Sequence, residues 1–203
     1  MEEEIQESKA DSTQRKTILD AVESLKNGFY APMIFCLNQN LITKDFTDGS
    51  YSPLHYAIFQ NNMEMVELFL NYFQIDVNFK SSSNQTPLML AVSRRNHFLT
   101  KHLLDLNIKM DQHDSIRMNS LQYCLNYENP VAFFYLLYKG EDFQSKDING
   151  CSLVHRASYK DSKFILQVLK TFGFPLFEKD NFQFSPIERA ISNYAYSSFK
   201  FLF

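Results

Sequence analysis

The sequence predicts an all-α solenoid, in which helix–turn–helix units are stacked one after another. A short motif occurs five times, at steps of 34, 33, 33 and 33 residues. A pair of mostly apolar residues follows each copy at a constant distance. The chain has 203 residues, 45% of them hydrophobic and 21% charged, which is enough apolar material for a sizeable core. A fixed period of this length is the sequence signature of repeat architectures.

The repeated motif marks the start of the first helix in each unit. It reads SPLHYA at residues 52–57, TPLMLA at 86–91, NSLQYC at 119–124, SLVHRA at 152–157 and SPIERA at 185–190. Ser and Thr are preferred N-caps, and Pro is tolerated at the first helical position because its missing N–H needs no partner there. The sixth residue is small, which lets two helices approach closely.

The apolar pair marks a second helix in each unit, since such pairs form the buried stripe of an amphipathic helix. Its copies stand at residues 69–70, 103–104, 136–137, 169–170 and 202–203. Asn107, Gly140 and Gly173 follow at matching positions, which suits a left-handed residue after the helix. A first, degenerate unit is predicted from helices at 17–22 and 31–40.

A 33-residue period with an anchor close to Thr-Pro-Leu-His resembles the ankyrin repeat, over residues of about 16–203. The resemblance implies about six helix–turn–helix repeats with hairpin tips between them and no substantial sheet. We place the repeats at about 16–48, 49–82, 83–115, 116–148, 149–181 and 182–203, with the first degenerate and the last incomplete. The acidic residues 1–15 before them are predicted to be a disordered tail.

The chain departs from the ankyrin pattern between the two helices of each repeat, where the family usually carries Gly. The corresponding residues here are Asn61, Arg95, Glu128, Asp161 and Tyr194. Because side chains other than those of Asn and Asp tolerate left-handed geometry poorly, we expect distorted turns or a shifted alignment. The extra residue of the 34-residue copy is expected at 71–74. The 36-residue step from Ala21 to Ala57 predicts a longer hairpin in the first repeat.

Several classes of function find no support in the sequence. The net charge of −3 argues against a nucleic-acid partner. No glycine-rich phosphate loop, Gly-x-Ser-x-Gly motif or zinc-ligand spacing is present, so we expect no cofactor, no metal site and no catalysis in these residues. His55 and His155 occupy the fourth motif position, where the ankyrin resemblance implies a His that bonds loop backbone.

Compartment can also be predicted from the composition. Cys36, Cys124 and Cys151 are an odd, sparse set, which indicates free thiols in a reducing, cytoplasmic location. The longest apolar run, 131–138, is too short to cross a bilayer, so we expect no direct membrane insertion by this segment. The first residues are acidic and lack an apolar run, so we expect no signal peptide.

The ankyrin resemblance implies that hairpin tips and the adjoining ends of the first helices line a concave groove. Transferred to this chain, the register places many aromatic side chains there, and aromatic and Arg side chains are typical interface anchors. We therefore predict a protein or linear peptide as the partner. The predicted partner-facing residues are Tyr51, Phe59, Gln60, Gln85, Ser93, Arg94, Ile116, Met118, Asn126, Tyr127, Ile148, Tyr159, Lys160, Phe182, Phe184, Ser192 and Asn193.

Two further roles are left open beside that of a protein-binding adaptor. Residues 149–160, NGCSLVHRASYK, resemble a repeat of ankyrin-bearing DHHC-type protein S-acyltransferases, with Arg156 and Ser158 as departures. That resemblance implies a cytosolic substrate-recruiting region whose catalytic part is absent from these residues. The other alternative is a structural subunit of a large assembly. The apolar end at 199–203 is expected to be covered by further chain or by a partner.

Overall fold

The computed structural model describes the backbone of residues 2–106 and 108–203, and the side chains of 12–106 and 108–203. Over these residues the chain is helical and contains no β-strand, which confirms the predicted all-α class. It forms two compact units, Met1–Ser83 and Asn84–Phe203, here called unit 1 and unit 2. Each unit consists of helix pairs, as the repeat predicts.

In its described residues, unit 1 contains four α-helices and one wider turn of helix. They are α1 (Glu2–Lys26), α2 (Ala31–Asn38), α3 (Pro53–Phe59), α4 (Met63–Glu67) and a π-helical turn at Leu68–Tyr72. The predicted boundary between a disordered tail and the first repeat falls inside α1, so the structure marks no boundary there. Disorder of residues 1–15 stays a prediction, and the side chains of 1–11 lie outside the described residues.

The long first repeat is explained by α1 and not by its hairpin. This helix ends at Lys26, five residues beyond Ala21, whereas α3 ends at Phe59, two residues beyond the equivalent Ala57. These three additional helical residues account for the 36-residue step. The predicted longer hairpin is therefore wrong. Gly28 then reverses the chain with a φ of 87°, a left-handed conformation that glycine adopts without a Cβ clash.

The extra residue of the second copy is accommodated by the π-helical turn. Here the backbone N–H of Phe73 donates to the carbonyl of Leu68, 3.2 Å away, which spans five residues instead of four. A single such turn inserts one residue into an α-helix without breaking it. The insertion therefore begins at Leu68, earlier than the predicted residues 71–74.

The described part of unit 2 contains four helix pairs in two layers. The first helices are α5 (Pro87–Ser93), α7 (Ser120–Asn126), α9 (Leu153–Tyr159) and α11 (Pro186–Ser192). The second helices are α6 (His97–Leu104), α8 (Pro130–Lys139), α10 (Lys163–Thr171) and α12 (Tyr196–Leu202). Each second helix packs on the first helix of its own pair, and the first helices pack side by side in chain order.

The periodic residues form the core of each unit. The sixth motif positions are all buried and are Ala57, Ala91, Cys124, Ala157 and Ala190. The first residue of each apolar pair is buried as well, and these are Phe69, Leu103, Leu136, Leu169 and Leu202. Burying side chains of this size is the main favourable contribution to folding. The second residue of the pair is half-buried or exposed in most copies.

The turns between paired helices are regular, contrary to the expectation of distortion. Asn61, Arg95, Glu128, Asp161 and Tyr194 all adopt left-handed backbone, with φ of 54°, 57°, 52°, 52° and 55°. Five different side chains therefore adopt the one conformation that glycine would take most easily. Gly140 and Gly173 are also left-handed, as predicted, and Asn107 lies outside the described residues.

Candidate functional site

An aspartate holds each hairpin tip of the last repeats in one shape. Asp147 is buried, and its Oδ1 accepts hydrogen bonds from the backbone N–H groups of Asn149 and Cys151 at 2.8 and 2.9 Å. Its Oδ2 forms an ion pair with Arg156 of α9. One carboxylate thus ties the tip to the helix that follows it, which limits the tip's freedom to move.

The next tip repeats this arrangement and adds aromatic rings. Buried Asp180 accepts hydrogen bonds from the backbone N–H groups of Phe182 (2.9 Å) and Phe184 (3.1 Å) and from Nε of Arg189 (2.7 Å). The Arg189 guanidinium lies 4.9 Å from the ring centre of Phe184 and 5.8 Å from that of Phe182. Burial raises the pKa of Asp180, but the bonds from Arg189 and the two amides outweigh it and hold the pKa below its usual value.

Earlier repeats use tyrosine in place of arginine. The hydroxyl of Tyr123 donates to Asp114 at 2.9 Å, and that of Tyr56 donates to Asp48 at 2.7 Å. Burial and the neighbouring carboxylate raise the pKa of both tyrosines, so they stay protonated donors. The aspartates at 114, 147 and 180 recur at the 33-residue period. Our sequence reasoning missed them, although this spacing could have revealed them.

The structure leaves several predicted partner-facing residues of unit 2 accessible. Tyr127 at the end of α7 and Tyr159 at the end of α9 are 43% and 44% exposed. The other exposed members of the predicted set are Arg94, Ile116, Ile148, Phe182, Phe184, Ser192 and Asn193, while Lys160 is half-buried. These side chains come from hairpin tips and the ends of first helices, which are the elements that the register assigns.

Other predicted partner-facing residues are buried or hydrogen-bonded within the fold. Met118 is 2% exposed, so its assignment to a partner surface is wrong. Its backbone N–H donates to Oδ1 of Asp114 at 2.8 Å. Asn126 accepts a hydrogen bond from Arg156 at 2.7 Å. Gln85 donates to the hydroxyl of Tyr123 at 2.8 Å, and Ser93 donates to the carbonyl of Leu90 at 2.7 Å.

The predicted residues of unit 1 form an aromatic cluster and one structural bond. The ring of Tyr51 lies 5.0 Å from that of Phe59 and 5.8 Å from that of Tyr56, both edge to face, which is a favourable geometry for aromatic pairs. Gln60 accepts a hydrogen bond from Tyr30 and donates to the carbonyl of Leu25 at 2.9 Å. Gln60 therefore joins two helix pairs of unit 1.

The histidines of the motif are structural. His155 accepts from the backbone N–H of Ser152 through Nδ1 at 3.3 Å, and its Nε2 lies 3.2 Å from the carbonyl of Phe184 in the following hairpin. His55 forms the same capping interaction with Ser52. In the repeat before that of His155, Gln122 takes this role and donates to the carbonyl of Cys151 at 3.1 Å. Burial lowers the pKa of His155 and keeps the ring neutral.

Burial favours the protonated form of the three cysteine side chains. Burial, and secondarily Asp147, raise the pKa of Cys151 to about 11, and burial raises the pKa values of Cys36 and Cys124. A thiol acts as a nucleophile in its ionised form, so a raised pKa lowers the reactivity of these groups near neutral pH. Within the described residues, no group of three His, Cys, Asp or Glu side chains is placed to hold a metal ion.

A groove of about 440 Å³ lies on the second-helix side of unit 2. It runs between α6 and α8 and is lined mainly by Phe98, Val131, Phe134, Tyr135 and Tyr138. No residue that we predicted to face a partner lines it. In the part of the chain that the structure describes, no helix is both long and apolar enough to span a bilayer.

Comparison with known proteins agrees with the repeat geometry. A family model described as ankyrin repeats, in three copies, matches residues 14–114. The human transient receptor potential cation channel subfamily A member 1 is 25% identical over 137 residues, 65% of this chain and 12% of the channel's length. Ankyrin repeats are generally modules of protein interaction and are typically non-catalytic. With its period, its helix pairs and this match, the chain belongs to the ankyrin-repeat family.

Proposed function

We propose that the chain is a non-catalytic module that binds a protein or a linear peptide through the hairpin tips and first-helix ends of unit 2. The observation that carries the proposal is the set of apolar and aromatic side chains left in solvent on tips that aspartates hold in place. Ile148, Phe182 and Phe184 are 54%, 60% and 43% exposed, beside Tyr127 and Tyr159. Grouped exposed apolar side chains are typical of binding surfaces.

Preorganised tips favour affinity because little conformational entropy is lost on binding. The aromatic side chains supply most of the binding energy in this proposal, since truncating a buried aromatic anchor costs about 2 kcal/mol or more. Arg94 and Lys160 add cations that suit an acidic group on the partner. Exposed ion pairs contribute about 0–1 kcal/mol each, so they tune affinity more than they create it.

The test starts with a pull-down that uses the wild-type chain, followed by titration of variants against the recovered partner. Tyr127→Ala and Tyr159→Ala are expected to weaken binding about thirtyfold each, the factor for about 2 kcal/mol. Tyr138→Ala is the matched control, because this tyrosine is exposed on a second helix away from the tips. Arg94→Ala should mainly reduce the salt dependence of binding.

Normal binding by both tyrosine variants, together with loss of binding on removal of the acidic residues 1–15, would refute the use of the tips. The acidic N-terminal segment would then be the binding element.

Cytoplasmic location, the likeness of residues 149–160 to S-acyltransferase ankyrin regions, and a role as a structural subunit stay predictions.

A further inference from the structure

The second helices of unit 2 carry positive charge alone. The helices α6, α8, α10 and α12 contain no Asp or Glu, and their lysines are Lys101, Lys139, Lys163, Lys170 and Lys200. In unit 1 the equivalent segment, α4 with its π-helical turn, has the opposite composition, with Glu64 and Glu67 and no lysine. The net charge of −3 for the whole chain conceals this separation.

The same four helices place aromatic rings in solvent. Phe98 of α6, Tyr138 of α8, Phe164 of α10 and Tyr196 of α12 are all exposed, Phe98 and Tyr138 by 87% and 85%. Phe and Tyr of this exposure are not required by the core. We call the outer surface of these four helices, with its lysines and rings, the second-helix face.

Side-chain contacts connect the second-helix face from α6 to α12. The apolar groove joins α6 to α8. Phe134 of α8 lies 5.7 Å from Phe164 of α10, measured between ring centres. The Lys170 ammonium of α10 lies 5.4 Å from the ring centre of Phe201 in α12. At about 10 Å between neighbouring helix axes, four helices span about 30 Å.

Carboxylates at the edges of this face offset part of its charge. Asp105, just after α6, accepts hydrogen bonds from the Tyr135 hydroxyl (3.0 Å) and from Nζ of Lys139 (3.4 Å). Asp161, in the turn before α10, accepts from the backbone N–H of Ser198 at 2.7 Å. Exposed Glu128, before α8, and exposed Asp142, after α8, are further carboxylates beside these helices, whereas Glu141 is buried. Four of the five lysines make no salt bridge to any other described residue.

We infer that the second-helix face adsorbs to an anionic phospholipid surface. Lysines attract anionic headgroups from solution, and Phe and Tyr rings enter the interfacial layer of a bilayer. The breadth of the face favours a membrane over an acidic peptide helix, because a peptide would fill the groove between α6 and α8 and leave the rings of α10 and α12 in water. Adsorption of this kind requires no helix that spans the bilayer.

Sedimentation with vesicles tests the inference. The 203-residue chain is mixed with vesicles of phosphatidylcholine alone or of phosphatidylcholine with phosphatidylserine. We expect binding that requires phosphatidylserine and falls as salt is raised. Lys101→Gln with Lys163→Gln should weaken binding about 25-fold, at about fivefold for each lysine near an anionic surface. Phe98→Ser with Tyr138→Ser should weaken it by at least about tenfold.

The matched control pair is Lys44→Gln with Lys179→Gln, which removes the same charge from exposed positions outside the second-helix face. This pair should bind as the wild type does. Far-UV circular dichroism checks that every variant is folded.

A tryptophan probe reports the depth of the rings, because the chain contains no natural Trp. In the variant Tyr138→Trp, the emission should shift to shorter wavelength on addition of phosphatidylserine vesicles. In Tyr159→Trp, at the end of a first helix, it should not shift. Three results would overturn the inference: no binding that depends on phosphatidylserine, equal weakening by the two lysine pairs, or binding of an acidic amphipathic peptide in the groove without binding to vesicles.

Discussion

The carboxyl of Glu141 is expected to make the stability of the protein fall as pH rises. Glu141 is 2% exposed, and its Oε1 has no hydrogen-bond partner, while the backbone N–H of Ser120 is the group that bonds this carboxyl. Burial, with smaller contributions from Asp111 and Asp142, raises its pKa from 4.5 to about 7. The same repeat position in unit 1 is occupied by Ile75, which is buried. Glu141 therefore places a carboxyl group where another repeat has an apolar side chain.

The sign and size of the effect follow from linkage. Between the ordinary pKa and the raised one, the folded protein binds the proton and the unfolded chain does not, so the free energy of unfolding falls as pH rises. A rise from 4.5 to about 7 corresponds to a loss of about 3 kcal/mol, at about 1.4 kcal/mol per pH unit. The loss is complete above about pH 7, and full stability returns below about pH 4.5.

The assay compares urea unfolding of the wild type and of Glu141→Gln between about pH 5 and about pH 8. Gln keeps the shape and does not titrate. Any fixed cost of burying its amide is the same at each pH and disappears from the comparison. We expect the stability of Glu141→Gln relative to the wild type to improve by about 2–3 kcal/mol over this range. Asp48 and Asp180, whose pKa values are lowered, are common to both proteins and cancel.

Exposed Glu128 provides the control, since Glu128→Gln should show no such trend. A stability difference between the wild type and Glu141→Gln that stays constant across this pH range would refute the reasoning. It would mean that Glu141 ionises in the folded protein as it does in water.

The remaining predictions concern the turns and the core. Tyr194→Gly should stabilise the protein by about 0.5–1 kcal/mol, because it relieves left-handed strain at a side chain that is 95% exposed. Asp161→Gly should instead destabilise it by about 1 kcal/mol, because the bond to the Ser198 amide is lost; a gain of stability in both variants would contradict this. Leu136→Ala should cost about 2–5 kcal/mol in urea unfolding, and Leu137→Ala about half as much, because Leu136 is fully buried and Leu137 half-buried. Equal costs would show that the helix register is wrong.

The local geometry of the repeat could be predicted from the sequence because the same short motif recurs about every 33 residues. Each copy packs against equivalent residues of its neighbours. The N-cap of Thr86, the buried Ala91 and the left-handed Gly140 follow from motif position alone. The turn at Tyr194 shows the limit of that reasoning. Side-chain preference predicted distortion there, whereas the packing of paired helices imposed the same left-handed backbone that glycine would take.

The all-α repeat, the helix pairs and the positions that build the core could be predicted from the residues alone. Which predicted partner residues reach solvent depends on packing between repeats, because their neighbours come from the adjacent repeat about 30 residues away. Asn126 is held by Arg156 across that distance, and Met118 turns inward while Tyr159 does not. Packing between repeats also brings together the second helices of unit 2, on which Lys101 and four other lysines lie. Stacking of successive repeats sets these neighbours, and the motif specifies each repeat alone.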